Sequence, residues 1–223
     1  MERIKIVKEG ERDKLYTLNL TPSLSVYNEK LFTINGVEYR TWDPFRSKLA
    51  AAILNGLPVE AIKEGDKVLY LGTSTGTTAS HISDIIGEKG LLIGVEVSVR
   101  VAREFIERVA KPRKNVLPFI ADARYPSRYS GFGKVDVVYC DIAQQDQTDI
   151  AIENCKFHLR DGGRLLLVVK TRSIDVLEEP SEVVKNEVVK LSKRGFIISS
   201  VVRLEPFDKD HALVFSIYQA GKD

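Results

Sequence analysis

The sequence predicts an α/β protein with a doubly wound, seven-stranded, mostly parallel sheet carrying one antiparallel strand, preceded by a small N-terminal antiparallel β domain. Three observations carry that expectation. From residue 68 onward, short apolar runs alternate with helix-period segments across short connections, a pattern that builds a parallel sheet covered by helices on both faces. The last two apolar runs, 196–204 and 212–218, are joined by only seven residues, too few for a crossover helix, so they pair antiparallel and reverse one strand. Ahead of the alternation, residues 1–42 hold short strand-like runs around Asn35-Gly36, a strong type I′ hairpin signal.

In that N-terminal unit, 4–7, 15–18, 31–34 and 37–40 read as strands, too small a set to be stable unless it packs on the larger domain. Asp43-Pro44 predicts a helix start, with Asp43 as N-cap and Pro44 in the first helical position. The helix then covers 45–55 and ends at Gly56. The small domain and this connecting helix are assigned to 1–55 and the sheet domain to 56–223. Beyond it, strand 68–71 precedes helix 77–86 and strand 91–97, and helix 101–110 precedes strand 116–120. Strand 135–140 precedes helix 146–159, and Asp161-Gly162-Gly163 turns the chain into strand 164–169. Helix 181–193 closes at Gly195 before the final pair. Six parallel strands with one reversed hairpin strand form the Rossmann-like pattern of class I methyltransferases that use S-adenosylmethionine (SAM).

Composition sets the bounds. A chain of 223 residues buries a substantial core, and 43% hydrophobic with 29% charged residues is ordinary for a globular protein. No apolar stretch approaches the roughly 20 residues that span a bilayer, and the charged N-terminus does not resemble a signal peptide, so a cytoplasmic protein without a membrane partner is expected. The 33 basic residues nearly balance 31 acidic ones, so any case for nucleic acid rests on local basic clusters. Cys140 and Cys155 make neither a disulfide framework nor a metal-ligand spacing, and no metal is expected.

The stretch around which the chain is organised is the turn from Gly72 through Thr73 to Gly76, between an apolar strand and the helix opening at Thr77 and Thr78. Such a turn places backbone N–H groups and a helix N-terminus beside a ligand. It reads G-x-x-x-G where a dinucleotide site needs G-x-G-x-x-G, which fits a ligand with little phosphate, such as SAM. Glycine turns also cap ordinary strands. Carboxylates supply the rest, because ligands of open α/β sheets sit beyond the strands' carboxyl ends. Glu96 ends the second strand, where it can accept both ribose hydroxyls, and Asp122 follows the third, near an adenine amino group. Asp141 follows the fourth, beside the reaction centre. Each alone is equally a loop carboxylate, but together with the turn they favour a nucleoside pocket. A ribose 2′-OH is a poor nucleophile near neutral pH, so a base or cation must favour its oxyanion. Lys170 ends the fifth strand and reaches the same rim, as does His211 if the last strand is reversed; His81 and His158 fall on helix patterns, with structural or surface roles.

Five ordered motifs span nearly the whole chain. They are Tyr39-Arg-Thr-Trp-Asp-Pro-Phe-Arg-Ser-Lys-Leu-Ala-Ala-Ala52, Leu69-Tyr-Leu-Gly-Thr-Ser-Thr-Gly-Thr-Thr78, Asp141-Ile-Ala-Gln144, Lys170-Thr-Arg-Ser-Ile-Asp175 and Leu204-Glu-Pro-Phe-Asp-Lys-Asp-His-Ala212. Together they resemble the fibrillarin family in its compact archaeal-type form. The resemblance implies an RNA 2′-O-ribose methyltransferase acting on rRNA and tRNA, directed by box C/D guide RNA. It also implies a coiled-coil Nop-type scaffold protein and a kink-turn-binding ribosomal-type protein as partners. It assigns SAM binding to Gly72, Thr73, Gly76, Thr77, Thr78, Glu96, Val97, Asp122, Ala123, Asp141, Ile142, Ala143 and Gln144. Catalytic roles fall to Lys48, Asp141, Lys170 and His211, with no single literal base assigned among them. The sequence departs from the family pattern at Val97, where an aromatic is usual, in the Thr-Ser-Thr of the turn, and at Gln145 in place of proline.

RNA contact is expected along Arg46, Lys48, Arg124, Arg128, Lys170 and Arg172, which would bind phosphate by charge and geometry without reading sequence. Three other readings stand beside this one. A catalytically silent RNP scaffold is opposed by the intact Lys48, Asp141, Lys170 and His211, and a nicotinamide oxidoreductase by the glycine spacing. A protein glutamine methyltransferase shares the pocket and differs in substrate.

Overall fold

In the computed structural model, which describes residues 2–10 and 12–221, two sheets share one chain. Strands β1 (Ile4–Glu9), β2 (Arg12–Leu18), β3 (Leu31–Ile34) and β4 (Val37–Trp42) form an antiparallel sheet ordered β1-β2-β4-β3. Strands β5 (Lys67–Leu71), β6 (Leu91–Glu96), β7 (Val116–Ile120), β8 (Val135–Cys140), β9 (Leu159–Lys170), β10 (Phe196–Arg203) and β11 (His211–Tyr218) form the second, ordered β10-β11-β9-β8-β5-β6-β7. As the short final connection predicts, β11 is antiparallel to both of its neighbours, and the other six strands run together. The chain order reverses at β5, which has β6 on one side and β8 on the other. That switch point opens a crevice at the strands' carboxyl ends.

Buried on both faces, the central strands read as continuous apolar runs, and their side chains divide strictly by parity. Val68, Tyr70, Val137, Tyr139, Leu166 and Val168 join one apolar cluster, whereas Leu69, Leu71, Val138, Cys140, Leu165 and Leu167 join the other. Leu15 and Trp42 of the small sheet belong to the first cluster, together with α1 (Lys48–Leu54) and α2 (Thr77–Ile86). The N-terminal strands therefore complete the cover over α2, and every α2 residue from Thr78 to Ile86 is buried.

Local chemistry moves several boundaries. The helix expected over 45–55 begins at Lys48, because Asp43 uses its side chain locally. Its Oδ1 accepts from Phe45 N–H (2.9 Å) and its carbonyl from Arg46 N–H (3.1 Å), which makes a turn. Ser47 is the N-cap, extended at φ −144°, with its hydroxyl accepting from Ala50 N–H (3.4 Å). The turn expected at Asp161-Gly162-Gly163 lies inside β9 as a bulge: Val135 pairs with Leu159 and Val137 with Arg164. The third long helix starts earlier than expected, as α3 (Val99–Phe105), and runs on as a π-helical segment, Ile106–Ala110. Helices α4 (Gln147–His158), α5 (Thr171–Ile174) and α6 (Pro180–Ser192) complete the set, and α5, at four residues, is too short to leave a periodic signal. No helix among the described residues is long and apolar enough to cross a membrane.

The polar side of α2 is tied to the small sheet by a buried network. Arg40 pairs with Glu29, and its Nε and Nη2 donate to Asp84 Oδ2 at 2.9 and 2.7 Å. His81 is fully buried and stacked on Trp42, with Nδ1 2.7 Å from Thr17 Oγ1 and Nε2 2.7 Å from the Tyr27 hydroxyl. Thr17 donates its own proton to Asp84 Oδ2 (3.0 Å), so a neutral ring donates from Nδ1 to Thr17 and accepts at Nε2 from the Tyr27 hydroxyl, whose single proton also faces the Thr41 carbonyl (3.1 Å). Burial, reinforced by the Arg40 and Arg113 charges, holds the His81 pKa well below the usual 6.5. Burial lowers that of His158 as well, so both rings serve structure. The stability this confers is present above the unfolded value and is lost as pH falls from there toward the folded one. Between pH 7.5 and 5.5, unfolding free energies from denaturant melts should therefore decline, with a slope from His81 that steepens toward about 1.4 kcal/mol per pH unit. A profile that stays flat through pH 6 would mean that His81 is charged in the fold.

Candidate active site

The crevice at the switch point is a cavity of about 320 Å³, within the size range of small-molecule sites. Its walls come from the ends of β5, β6, β7 and β8, and Gly72, Glu96, Val97, Asp122, Ala123, Asp141, Ile142, Ala143 and Gln144 all line it. Thr73, Gly76, Thr77 and Thr78 do not. They form the turn behind the wall, where Thr73 is buried and Thr78 spends its hydroxyl on Ser47 (2.9 Å). Ser74, Arg124, Ile150 and Lys170 line the cavity as well, although none belongs to the expected cofactor set. Arg124, expected at RNA alone, has its guanidinium tied to Asp146 (3.0 Å) and Gln144 (2.8 Å) across the cavity wall.

Two glycines make the turn possible. Gly72 has φ +81°, and a Cβ there would stand 2.9 Å from the Asp141 carbonyl oxygen. Backbone thus meets backbone between β5 and β8, sealed by Asp141 N–H donating to Leu71 O (3.0 Å). Gly76, with φ +99°, is covered by Phe105 and Val109, the residues that α3 and its π-helical continuation present to the turn. Ser74 (φ +51°) directs its N–H to Glu96 Oε2 (2.9 Å), and Ser98 N–H reaches Oε1 (3.0 Å). Each Glu96 oxygen is thereby fixed by one donor and keeps lone-pair capacity for another.

At the cavity mouth the charged side chains form one chain of contacts. Lys170 Nζ lies 2.8 Å from Asp141 Oδ1 and donates to the Asp141 carbonyl (2.9 Å). Lys48 Nζ lies 3.6 Å from Asp141 Oδ2 and 3.7 Å from Asp208 Oδ2, and Asp208 Oδ1 lies 3.0 Å from His211 Nδ1. His211 does not reach Asp141 directly. Asp208 joins it to Lys48, a role that sequence reading missed although Asp208 stands inside one of the five motifs. The Nδ1 of His211 also faces the Lys209 carbonyl (2.7 Å), so in the neutral ring Nδ1 bears the proton and Nε2 carries the lone pair. His211 pairs in register with Lys170 across β11 and β9, so the reversal of one strand is what brings histidine to this rim. Burial raises the Tyr70 hydroxyl, with Asp141 adding to the effect, and pushes the Cys140 thiol up to about 12; neither is a base near neutral pH. Of the outer basic residues, Arg172 pairs with Asp210 (3.5 Å), whereas Arg46 and Arg128 lie over the rings of Tyr27 and Tyr125.

Known proteins resemble this chain along nearly its whole length. The sequence profile of the family described as Fibrillarin matches residues 1–220. A fibrillarin-like rRNA/tRNA 2′-O-methyltransferase of Saccharolobus solfataricus is 54% identical over 207 residues, covering 92% of this chain and 89% of that protein. A crystal structure of Aeropyrum pernix fibrillarin with natively bound S-adenosyl-L-methionine is 47% identical. It superposes with a TM-score of 0.87 and covers 96% of this chain and 94% of that one. The fibrillarin of a fibrillarin/Nop5p complex is 36% identical, with a TM-score of 0.83 over 97% of both chains.

Proposed function

The chain belongs to the fibrillarin family, and we propose accordingly that it transfers a methyl group from SAM to ribose 2′-OH groups of rRNA and tRNA. The observation that carries the reading is the Lys170–Asp141–Lys48 cluster at the mouth of the cavity, beside the glycine turn.

The cavity residues fit SAM. Glu96 offers two fixed oxygens to a ribose diol, exposed Val97 supplies an aliphatic surface for adenine, and Gly72 lines the cavity beside the place for the methionine part. When bound there, SAM supplies the electrophilic methyl. The protein's own groups do the rest. Asp141 holds both lysine ammonium groups at the mouth, and their charge favours the oxyanion as the 2′-OH loses its proton. His211, oriented through Nδ1 by Asp208 and the Lys209 carbonyl, offers Nε2 as a proton acceptor.

Arg46, Arg124, Arg128 and Arg172 serve as phosphate contacts in this reading, with a guide RNA supplying sequence by base pairing; of the four, Arg124 lines the cavity. The chain works on a Nop-type scaffold protein; the coiled-coil form of that scaffold, a kink-turn-binding protein and the box C/D guide complete the assembly. Labelled methyl transfer from SAM tests the reading, with the protein alone and then with scaffold, kink-turn protein and matched guide. Guide-dependent labelling that disappears with a 2′-deoxy target nucleotide is expected. A complete complex that binds SAM and target yet transfers nothing would favour a silent scaffold instead.

A further inference from the structure

Phe45 stands 67% exposed in the turn ahead of α1, where burial would ordinarily draw a phenylalanine inward. Its ring meets Phe207 edge to face, with centroids 5.3 Å apart and an interplanar angle of 76°. The two rings flank the reactive mouth: Lys48 lies three residues after Phe45, Asp208 directly follows Phe207, and the Lys48–Asp208 pair closes at 3.7 Å. Arg46 continues the same turn. Its guanidinium is held 4.7 Å from the Tyr27 ring centroid and donates to Tyr27 O (3.2 Å), and no carboxylate pairs with it among the described residues. An apolar shelf and a fixed, uncompensated cation therefore adjoin the lysine at the reaction centre.

We propose that Phe45 and Phe207, with Arg46, form the subsite for the RNA strand next to the target ribose. This rests on the 2′-O-methyltransferase reading. The chemistry of the ligand argues for that occupant. In an A-form duplex the 2′-hydroxyls line a wide, shallow minor groove, so a 2′-OH is reached without extruding its base. Beside each 2′-OH that groove presents apolar ribose C–H surface, and then phosphate. The rings take the first and Arg46 the second, which orients the strand without reading its sequence. A shelf of this kind suits an enzyme whose specificity is supplied by a guide.

The test uses the assembled, guide-loaded complex. Phe45→Ala should raise KM for target RNA about fivefold to tenfold, leaving KM for SAM and the thermal midpoint unchanged, and Phe45→Trp should restore it. Arg46→Gln should weaken target binding and reduce its salt slope by about one. An unchanged KM for RNA in Phe45→Ala overturns the proposal. So does a defect in complex assembly measured without target RNA, which would give the ring to a protein partner. If the wild-type complex itself transfers no methyl, the methyltransferase reading fails. Equal affinity of wild type and Phe45→Ala complexes for the target would then overturn the subsite separately.

Discussion

Asp141→Ala is expected to lower methyl transfer at saturating SAM by about 10²–10⁴-fold while the ribonucleoprotein still assembles. The side chain is 12% exposed and has Lys170 at 2.8 Å and Lys48 at 3.6 Å. Without it, two ammonium groups repel each other at the mouth and neither is held against the reacting oxygen. Asp141→Asn keeps the shape and removes the charge, so it separates packing from electrostatics and should fall nearly as far. Single-turnover labelling measures the rate, and native gel mobility measures assembly. Activity within about threefold of wild type would remove Asp141 from the mechanism.

The largest stability effect should come from a residue far from any chemistry. Arg40 is fully buried between Glu29 and Asp84, both buried, and its Nη2 also donates to the Ser80 hydroxyl at 3.0 Å. Arg113 makes a single longer contact with Asp84 (3.5 Å) and leaves Nε and Nη1 without partners among the described residues. Two cations and two anions thus balance inside the fold. Arg40→Met would leave two buried carboxylates facing one poorly placed guanidinium, at a cost of about 3–5 kcal/mol. For a chain of this size that is a fall in thermal midpoint on the order of 10 °C. A loss below about 1 kcal/mol would mean that water enters the cluster and solvates the charges. Because Arg40 lies on β4 and Asp84 on α2, the damage should also loosen the small sheet from the helix that begins at the glycine turn.

By itself the sequence determined the sheet's composition, its single reversed strand, the glycine turn and the carboxylates at the strand ends. These come from local periodicity and connection length, which fix the strand directions, and a strand's direction fixes which end faces the ligand. The resemblance carried Lys48 to the site, since nothing local distinguishes one helix-start lysine from another. Where a side chain could satisfy itself in two ways, sequence reasoning chose wrongly: Asp43 makes a turn, Ser47 takes the cap, and Asp161-Gly162-Gly163 becomes a bulge. Only the tertiary structure decided that Asp208 links Lys48 to His211, that Thr78 turns away from the cavity toward Ser47, and that Arg40 is a buried ion-pair hub. The Lys48–Asp208, Thr78–Ser47 and Arg40–Asp84 contacts each join separate elements of the fold, whereas Asp208 and His211 are only three residues apart. The partners of a charged or hydroxyl group are set by the three-dimensional burial that excludes water, and one-dimensional spacing carries no record of it.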